Sequence, residues 1–253
     1  MKKSIITILI AIIGTVATLG ANNIALADSA YNQKRYQEAL EIYHSELKSK
    51  GTSSDLYYNI GCGYYKMQQY AQAILYFERA LQLDPGNNDA KANLEFVREK
   101  AKVNGSSGSS FFEDLYTAIA NNFTSNGWAV IAVISFLLLL GAIAMYIFMS
   151  SVALRKVGFF GGGVILVVCV FSIICSFSQH KKAAEHTEAI VMSESATLSA
   201  APHAPSGKEV EGTLKAGQKV CIEDSVKNTG IWYKVTTPDS KQAWILSTDV
   251  EKI

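Results

Sequence analysis

Three kinds of hydrophobic pattern follow one another along the chain. From about residue 22 to residue 100, aromatic and small apolar residues recur at helical spacing among charged ones, broken by short polar turns. From Trp128 to Met149 and from Val157 to Phe177, charged residues vanish. From Thr187 onward the period falls to two, in Ala189-Ile190-Val191-Met192, Thr213-Leu214, Lys219-Val220-Cys221-Ile222-Glu223, Trp232-Tyr233-Lys234-Val235, Ala243-Trp244-Ile245 and Val250-Glu251-Lys252-Ile253. The pattern predicts a multi-domain chain: paired helices, then two long apolar helices, then a small all-β barrel.

The helical part repeats itself. With Ser54 as position 1 of a 34-residue unit, Tyr57, Gly61, Tyr64, Tyr70, Ala73, Phe77, Ala80 and Pro85 fall at positions 4, 8, 11, 17, 20, 24, 27 and 32. Small Gly61, Ala73 and Ala80 let two antiparallel helices touch, the aromatics fill the space around them, and Pro85 stops the second helix. This spacing is identified as a tetratricopeptide repeat. One unit earlier, Tyr36, Ala39 and Tyr43 stand for Tyr70, Ala73 and Phe77; one unit later, Asn88 to Lys100 reads as a capping helix. The repeats are expected over residues 28–103, because a lone repeat leaves its apolar face uncovered.

In that family the first helix of each repeat lines the inner face. The resemblance implies a peptide groove made by Tyr58, Asn59, Cys62, Tyr65 and Lys66, beside Asp55, with Asn93 one repeat beyond Asn59. Asn59 and Asn93 are expected to hold a ligand's backbone, since an amide both donates and accepts. Tyr58 and Cys62 stand where a carboxylate clamp has lysine and asparagine, so a free C-terminus is not the expected ligand.

Lys2 and Lys3 precede an apolar core from Ser4 to Leu19, a secretory leader or uncleaved anchor over residues 1–27. Ala25-Leu26-Ala27 offers a cleavage site, but cutting there would shorten the first repeat's opening helix; a cut after Gly20 or Ala21 would preserve it. The two uncharged stretches (residues 128–149 and 157–177) are long enough to span a membrane. Trp128 fits an interface anchor. Gly158-x-x-x-Gly162 reads as ordinary glycine content beside the Gly161–Gly163 run rather than as a helix contact. With an exported N-terminus, the link Ser150–Lys156 is cytoplasmic and both larger segments lie outside the inner membrane. Between the Gly105–Ser110 linker and the first span, Phe111, Leu115, Ile119 and Phe123 recur every four residues. They predict an amphipathic helix, lying at the membrane surface or packed on the repeats.

The β segment, residues 187–253, resembles a bacterial SH3-like domain through Leu214-x-x-Gly217, Trp232-Tyr233-x-Val235 and Ala243-Trp244-Ile245. Pro202–Gly207 reads as a long loop. Its apolar strands are expected to close a core without the rest of the chain, and the resemblance implies binding of cell-wall peptides or proline-rich segments. Trp232 and Tyr233 alternate in one strand, so one of them offers a surface platform; the competing reading makes Trp232 and Trp244 barrel core.

Net charge is +1, which argues against nucleic acid as a partner. Four cysteines show no metal or disulfide spacing. Ser45-x-x-Lys48 and Ser178-x-x-Lys181 lack the context of a nucleophile motif. No enzyme, cofactor or small-molecule substrate is expected. The module order resembles the fifth protein of the Bacteroides aerotolerance (Bat) operon, the BatE family. That resemblance implies a membrane scaffold joining von Willebrand A domain proteins, linked to oxygen tolerance or envelope stress. Two other readings stay open: a peptidoglycan tether acting through the SH3-like domain, and a redox sensor acting through Cys62.

Overall fold

The computed structural model describes residues 23–103, 111–185, 188–205, 209–227 and 230–253. The leader before residue 23, the Gly105–Ser110 linker and the end of the Pro202–Gly207 loop lie outside them. The chain divides into two compact units, one joining the helical repeats to the C-terminal strands, the other holding the apolar helices.

In the first unit, α1 (residues 23–32), α2 (Tyr36–Lys50), α3 (Ser54–Lys66), α4 (Tyr70–Leu83) and α5 (Asn88–Ala101) form two helix pairs and a terminal helix. Their boundaries are local chemistry. Ser53 and Asn87 cap α3 and α5 by accepting from the amides of Leu56 and Ala90. Lys34, Gln68 and Lys102 all take positive φ just beyond a first helix, 34 residues apart, so the repeat is a repeat of backbone conformation as well as of side chains. The glycines of α3 do two jobs. A Cβ on Gly61 would lie 2.8 Å from the Phe77 ring, and one on Gly63 would lie 2.7 Å from Leu40; α3 is pressed against α4 on one side and α2 on the other.

The repeats begin earlier than residue 28. Ala27 and Ala30 are fully buried. Asn23 donates to Glu46 at 2.6 Å, and the Tyr43 hydroxyl donates to Asp28 at 2.5 Å. Glu46 is itself buried, and Lys50, with Asn23, holds its carboxylate below the usual range. A domain boundary at Ala27 would strip Asn23 and Ala27 from this packing.

The C-terminal part is an antiparallel sheet of β1 (Glu188–Val191), β2 (Ser195–Ser199), β3 (Val210–Lys215), β4 (Lys219–Lys227), β5 (Ile231–Thr236), β6 (Gln242–Leu246) and β7 (Val250–Lys252), in the order β3-β2-β6-β5-β4-β1-β7. Strand β2, sequence SATLS, is the one that alternation did not reveal, because serine and threonine carry three of its five positions. One face of the sheet forms a single cluster, including Val191, Leu198, Leu214, Val220, Val235, Ile245 and Val250. Trp244 stands on the other face, opposite Lys234, and is only half-buried; it does not belong to this core.

The outer face of β1 and β7 meets the repeats. Ile190 and Ile253 belong to the repeat core, with Met192 packed against it. The turn before β4 holds Gly217 at φ +89°, and a Cβ there would lie 2.9 Å from Ile74 Cδ1. Lys219 reaches Glu78 of α4 at 3.2 Å and Glu188 at 2.7 Å; Arg98 also pairs with Glu78. Arg79 pairs with Glu251 at 2.9 Å and donates to the Lys252 carbonyl at 2.6 Å. Burial alone would lower the Lys219 pKa; Glu78 and Glu188 more than offset that and raise it. The β domain thus shares part of its core with the repeats: apart from them, Ile190 and Ile253 would face water.

The second unit holds α6 (Phe111–Ala120), α7 (Ser125–Phe148) and α8 (Val152–Glu185). Helices α7 and α8 are long and apolar enough to cross a membrane and pack as a hairpin. The link is Met149–Ser151, shorter than the uncharged stretches implied, and Arg155 lies within α8, its Nε donating to the Met149 carbonyl at 2.7 Å. Gly158-x-x-x-Gly162 is a contact face after all. A Cβ on Gly158 would lie 2.9 Å from the Ala142 carbonyl, and one on Gly162 would lie 3.4 Å from Ala142 Cβ, whereas Gly161 and Gly163 meet nothing within 4 Å.

Two outcomes follow for the first unit. Ile190→Ala removes a fully buried side chain from the shared core, at a cost of about 2–5 kcal/mol. Thermal melts of the full chain in detergent, followed by far-ultraviolet dichroism and tryptophan fluorescence, are expected to shift together; a shift in fluorescence alone would mean separate folding. His44 lies against the Tyr64 and Tyr76 rings, its Nε2 3.1 Å from the Tyr64 hydroxyl. Burial, then Lys48 and Arg79, lower its pKa below 6.5, against the pull of Glu251. A depressed imidazole stabilises the fold above its unfolded value and loses that contribution as pH falls through its folded value. Tm is expected to drop between about pH 7.5 and about pH 5.5, and to drop less in His44→Phe.

Candidate functional site

The face shared by α1, α3 and α5 carries the expected groove residues. Tyr58, Asn59, Cys62 and Tyr65 are half-buried on α3, and Lys66 is exposed at its end. Asn93 on α5 comes to them: its Nδ2 donates to the Tyr58 hydroxyl at 3.1 Å and lies 3.8 Å from Cys62 Sγ. Burial pushes the Tyr58 phenol up, as does the neighbouring Cys62. Asn59 has no side-chain partner among the described residues.

The two asparagines are thus not equivalent. Asn93 spends its donors on Tyr58 and Cys62 and holds α5 against α3, which leaves its carbonyl oxygen for a ligand. Asn59 keeps both halves of its amide. The expected matched pair of backbone clamps is reduced to one free amide and one acceptor.

Two aromatics that the sequence reading passed over complete the face. Tyr31, on α1, is pushed up to about 12 by burial and by the nearby Cys62. Phe96, on α5, is 44 % exposed and meets the Tyr65 ring edge-on at 5.7 Å. Both lay within reach of the 34-residue step: Tyr31 is one unit before Tyr65, and Phe96 is one unit after Cys62. Lys66 lies 5.7 Å from the centre of the Tyr65 ring, and Lys100 lies 5.4 Å from that of Phe96. The floor is therefore aromatic, flanked at one end by two ammonium groups a repeat apart. Such a surface suits an extended protein segment held by ring contact and amide bonds.

Burial also pushes the Cys62 thiol up, against the opposite pull of Tyr58, Lys66 and Asn93. A thiol so placed is a poor nucleophile and a poor redox sensor. On the sheet, Trp232 is 5 % exposed and its indole nitrogen is buried without an acceptor among the described residues. Tyr233 packs against the sheet's own core, with Lys252 Nζ 5.2 Å from its ring centre. Neither ring is an open platform. No group of three or more metal-ligating side chains occurs among the described residues.

The tetratricopeptide repeat family profile matches residues 54–87. This is the unit whose first helix supplies most of the groove, and it supports a protein-interaction role. No curated protein matches the chain.

With Cys169, Cys175 and Cys221 replaced, alkylation of Cys62 by iodoacetamide is expected to be slower at neutral pH than that of a free cysteine, with a midpoint in its pH–rate profile above the free value. Fast reaction at neutral pH would restore the redox reading.

Proposed function

We propose that the protein is a non-catalytic membrane scaffold that grips a segment of a partner protein along the face of α1, α3 and α5. One observation carries this reading. Along the aromatic face, Tyr31, Tyr58 and Tyr65 are half-buried and Phe96 is exposed, and no described strand covers them, while α4 is covered by β1 and β7. The chain's own β module thus takes one surface of the repeats and leaves the groove to others.

The same packing bears on topology. The repeats precede the two apolar helices and the strands follow them, yet the two modules share a core. A shared core supports one compartment for both modules, as two crossings would return the chain to its starting side. If the leader is exported, that compartment is outside the inner membrane. The resemblance to the BatE family makes the partner a membrane protein with a von Willebrand A domain, and the setting oxygen tolerance or envelope stress. The tether reading draws no support from Trp232 and Tyr233, whose rings are taken up by the sheet itself.

A photo-reactive amino acid placed in the full chain at Asn59 or Phe96, and at Lys48 as a control on exposed α2, tests the groove in native membranes. Crosslinks to another protein are expected from Asn59 and Phe96 and not from Lys48. Phe96→Ala should reduce capture several-fold while the helical melt stays in place. Crosslinks from Lys48 alone, or capture undiminished in a folded Phe96→Ala variant, would move the binding surface elsewhere.

A further inference from the structure

We infer that α6 is a bracket lying in the lipid–water interface, locked onto one end of the α7–α8 hairpin, and that the partner of its open face is the lipid surface itself. This rests on α7 and α8 spanning a membrane.

The lock is a set of hydrogen bonds. The last turn of a helix leaves carbonyl groups without intrahelical donors. The carbonyl of Ala120 at the end of α6 accepts from Trp128 Nε1 of α7 at 2.9 Å and from Gln179 Nε2 of α8 at 3.0 Å. Gln179 also donates to Asn121 Oδ1 at 2.9 Å. Next to this joint, Ser125 Oγ donates to the Ser176 carbonyl and Ser176 Oγ donates to the Ser125 carbonyl, each at 3.0 Å. Ala120, Trp128 and Cys175 form a buried cluster, with Tyr116 edge-on to Phe171. Trp128 is 6 % exposed. It fastens α6 to the hairpin, where the sequence alone suggested an anchor among headgroups.

That packing uses one side of α6 and fixes the direction of the other. Leu115 and Ile119 are 48 % and 41 % exposed, and Phe123, one further step of four, is 48 % exposed. Phe123 stands immediately before α7, whose Val130, Val133, Ile134 and Leu137 are exposed in turn. The open stripe of α6 is therefore continuous with the surface that the spans present to hydrocarbon. Helical spacing puts Asp114 and Thr117 on a different arc from Leu115 and Ile119. The sequence of α6 has two carboxylates and no cation, so the attraction is to the acyl boundary and not to anionic headgroups.

Collision measurements on nitroxides test this in the full chain, with its native cysteines replaced, in phosphatidylcholine vesicles. Labels are placed at Leu115→Cys, Ile119→Cys and Asp114→Cys, and at Leu138→Cys in the middle of α7. Oxygen is expected to outcompete a water-soluble nickel chelate at 115 and 119 at shallow depth, nickel to prevail at 114, and oxygen to prevail at 138 at much greater depth. Adding phosphatidylglycerol should change none of these. Nickel access at 115 and 119, or protection there from both reagents, with 138 deep in lipid, would overturn the bracket and leave the spans standing. Nickel access at 138 would overturn the spans and the bracket together. In Trp128→Phe with Gln179→Leu, the contrast between 114 and 115 should be lost; its survival would show that the lock does not orient the helix.

Discussion

Burial of β1 and β7 against α4 is the contact on which the first unit depends. An array of helix pairs leaves apolar surface at its ends and along its second helices, and something must cover it. Here the cover is the chain's own C-terminal module. Ile190 and Ile253 enter the repeat core, and the Gly217 turn fits against Ile74 and Val103. Val103 follows directly on α5, the helix that has no second helix after it. The β module therefore meets both α4 and the end of the array. Gly217 is required twice over, by its positive φ and by the lack of room for a side chain.

The charges at this contact define its fit. Lys219 is half-buried between Glu78 and Glu188, and Arg98 also pairs with Glu78. Taking these groups out of water is costly, and their mutual attraction offsets the cost only while every partner is in place. A displaced or rotated β module would take Lys219 away from Glu78 and leave it to Glu188 of its own sheet. The repeats and the sheet thus form one compact unit.

Much of this was legible in the chain. The 34-residue step named the helix pairs and their close-packed glycine, because backbone contact permits so few residue types. The uncharged stretches marked α7 and α8, and alternation marked six of the seven strands. The groove was legible in part. The resemblance to the repeat family put Tyr58, Asn59, Cys62, Tyr65 and Lys66 on one face, but it could not show that Asn93 spends its donors on Tyr58 and Cys62. A hydrogen bond between two repeats depends on how far apart the helices stand, and periodicity carries no distance.

The sequence by itself determined the elements, their order and the faces of each that are apolar, because those follow from local spacing and backbone preference. Tertiary structure alone decided which apolar face meets which. Ile190 and Val191 are adjacent and equally hydrophobic, yet Ile190 enters the repeat core and Val191 the sheet's own. A Cβ on Gly158 or Gly162 would meet α7, while one on Gly161 or Gly163 would meet nothing within 4 Å among the described residues. Trp128 points into protein where its position suggested lipid. Adjacent strand residues point to opposite faces and helix neighbours to different sides, so the pattern states that each face is buried. The partner is set by long-range packing, and no local signal records it.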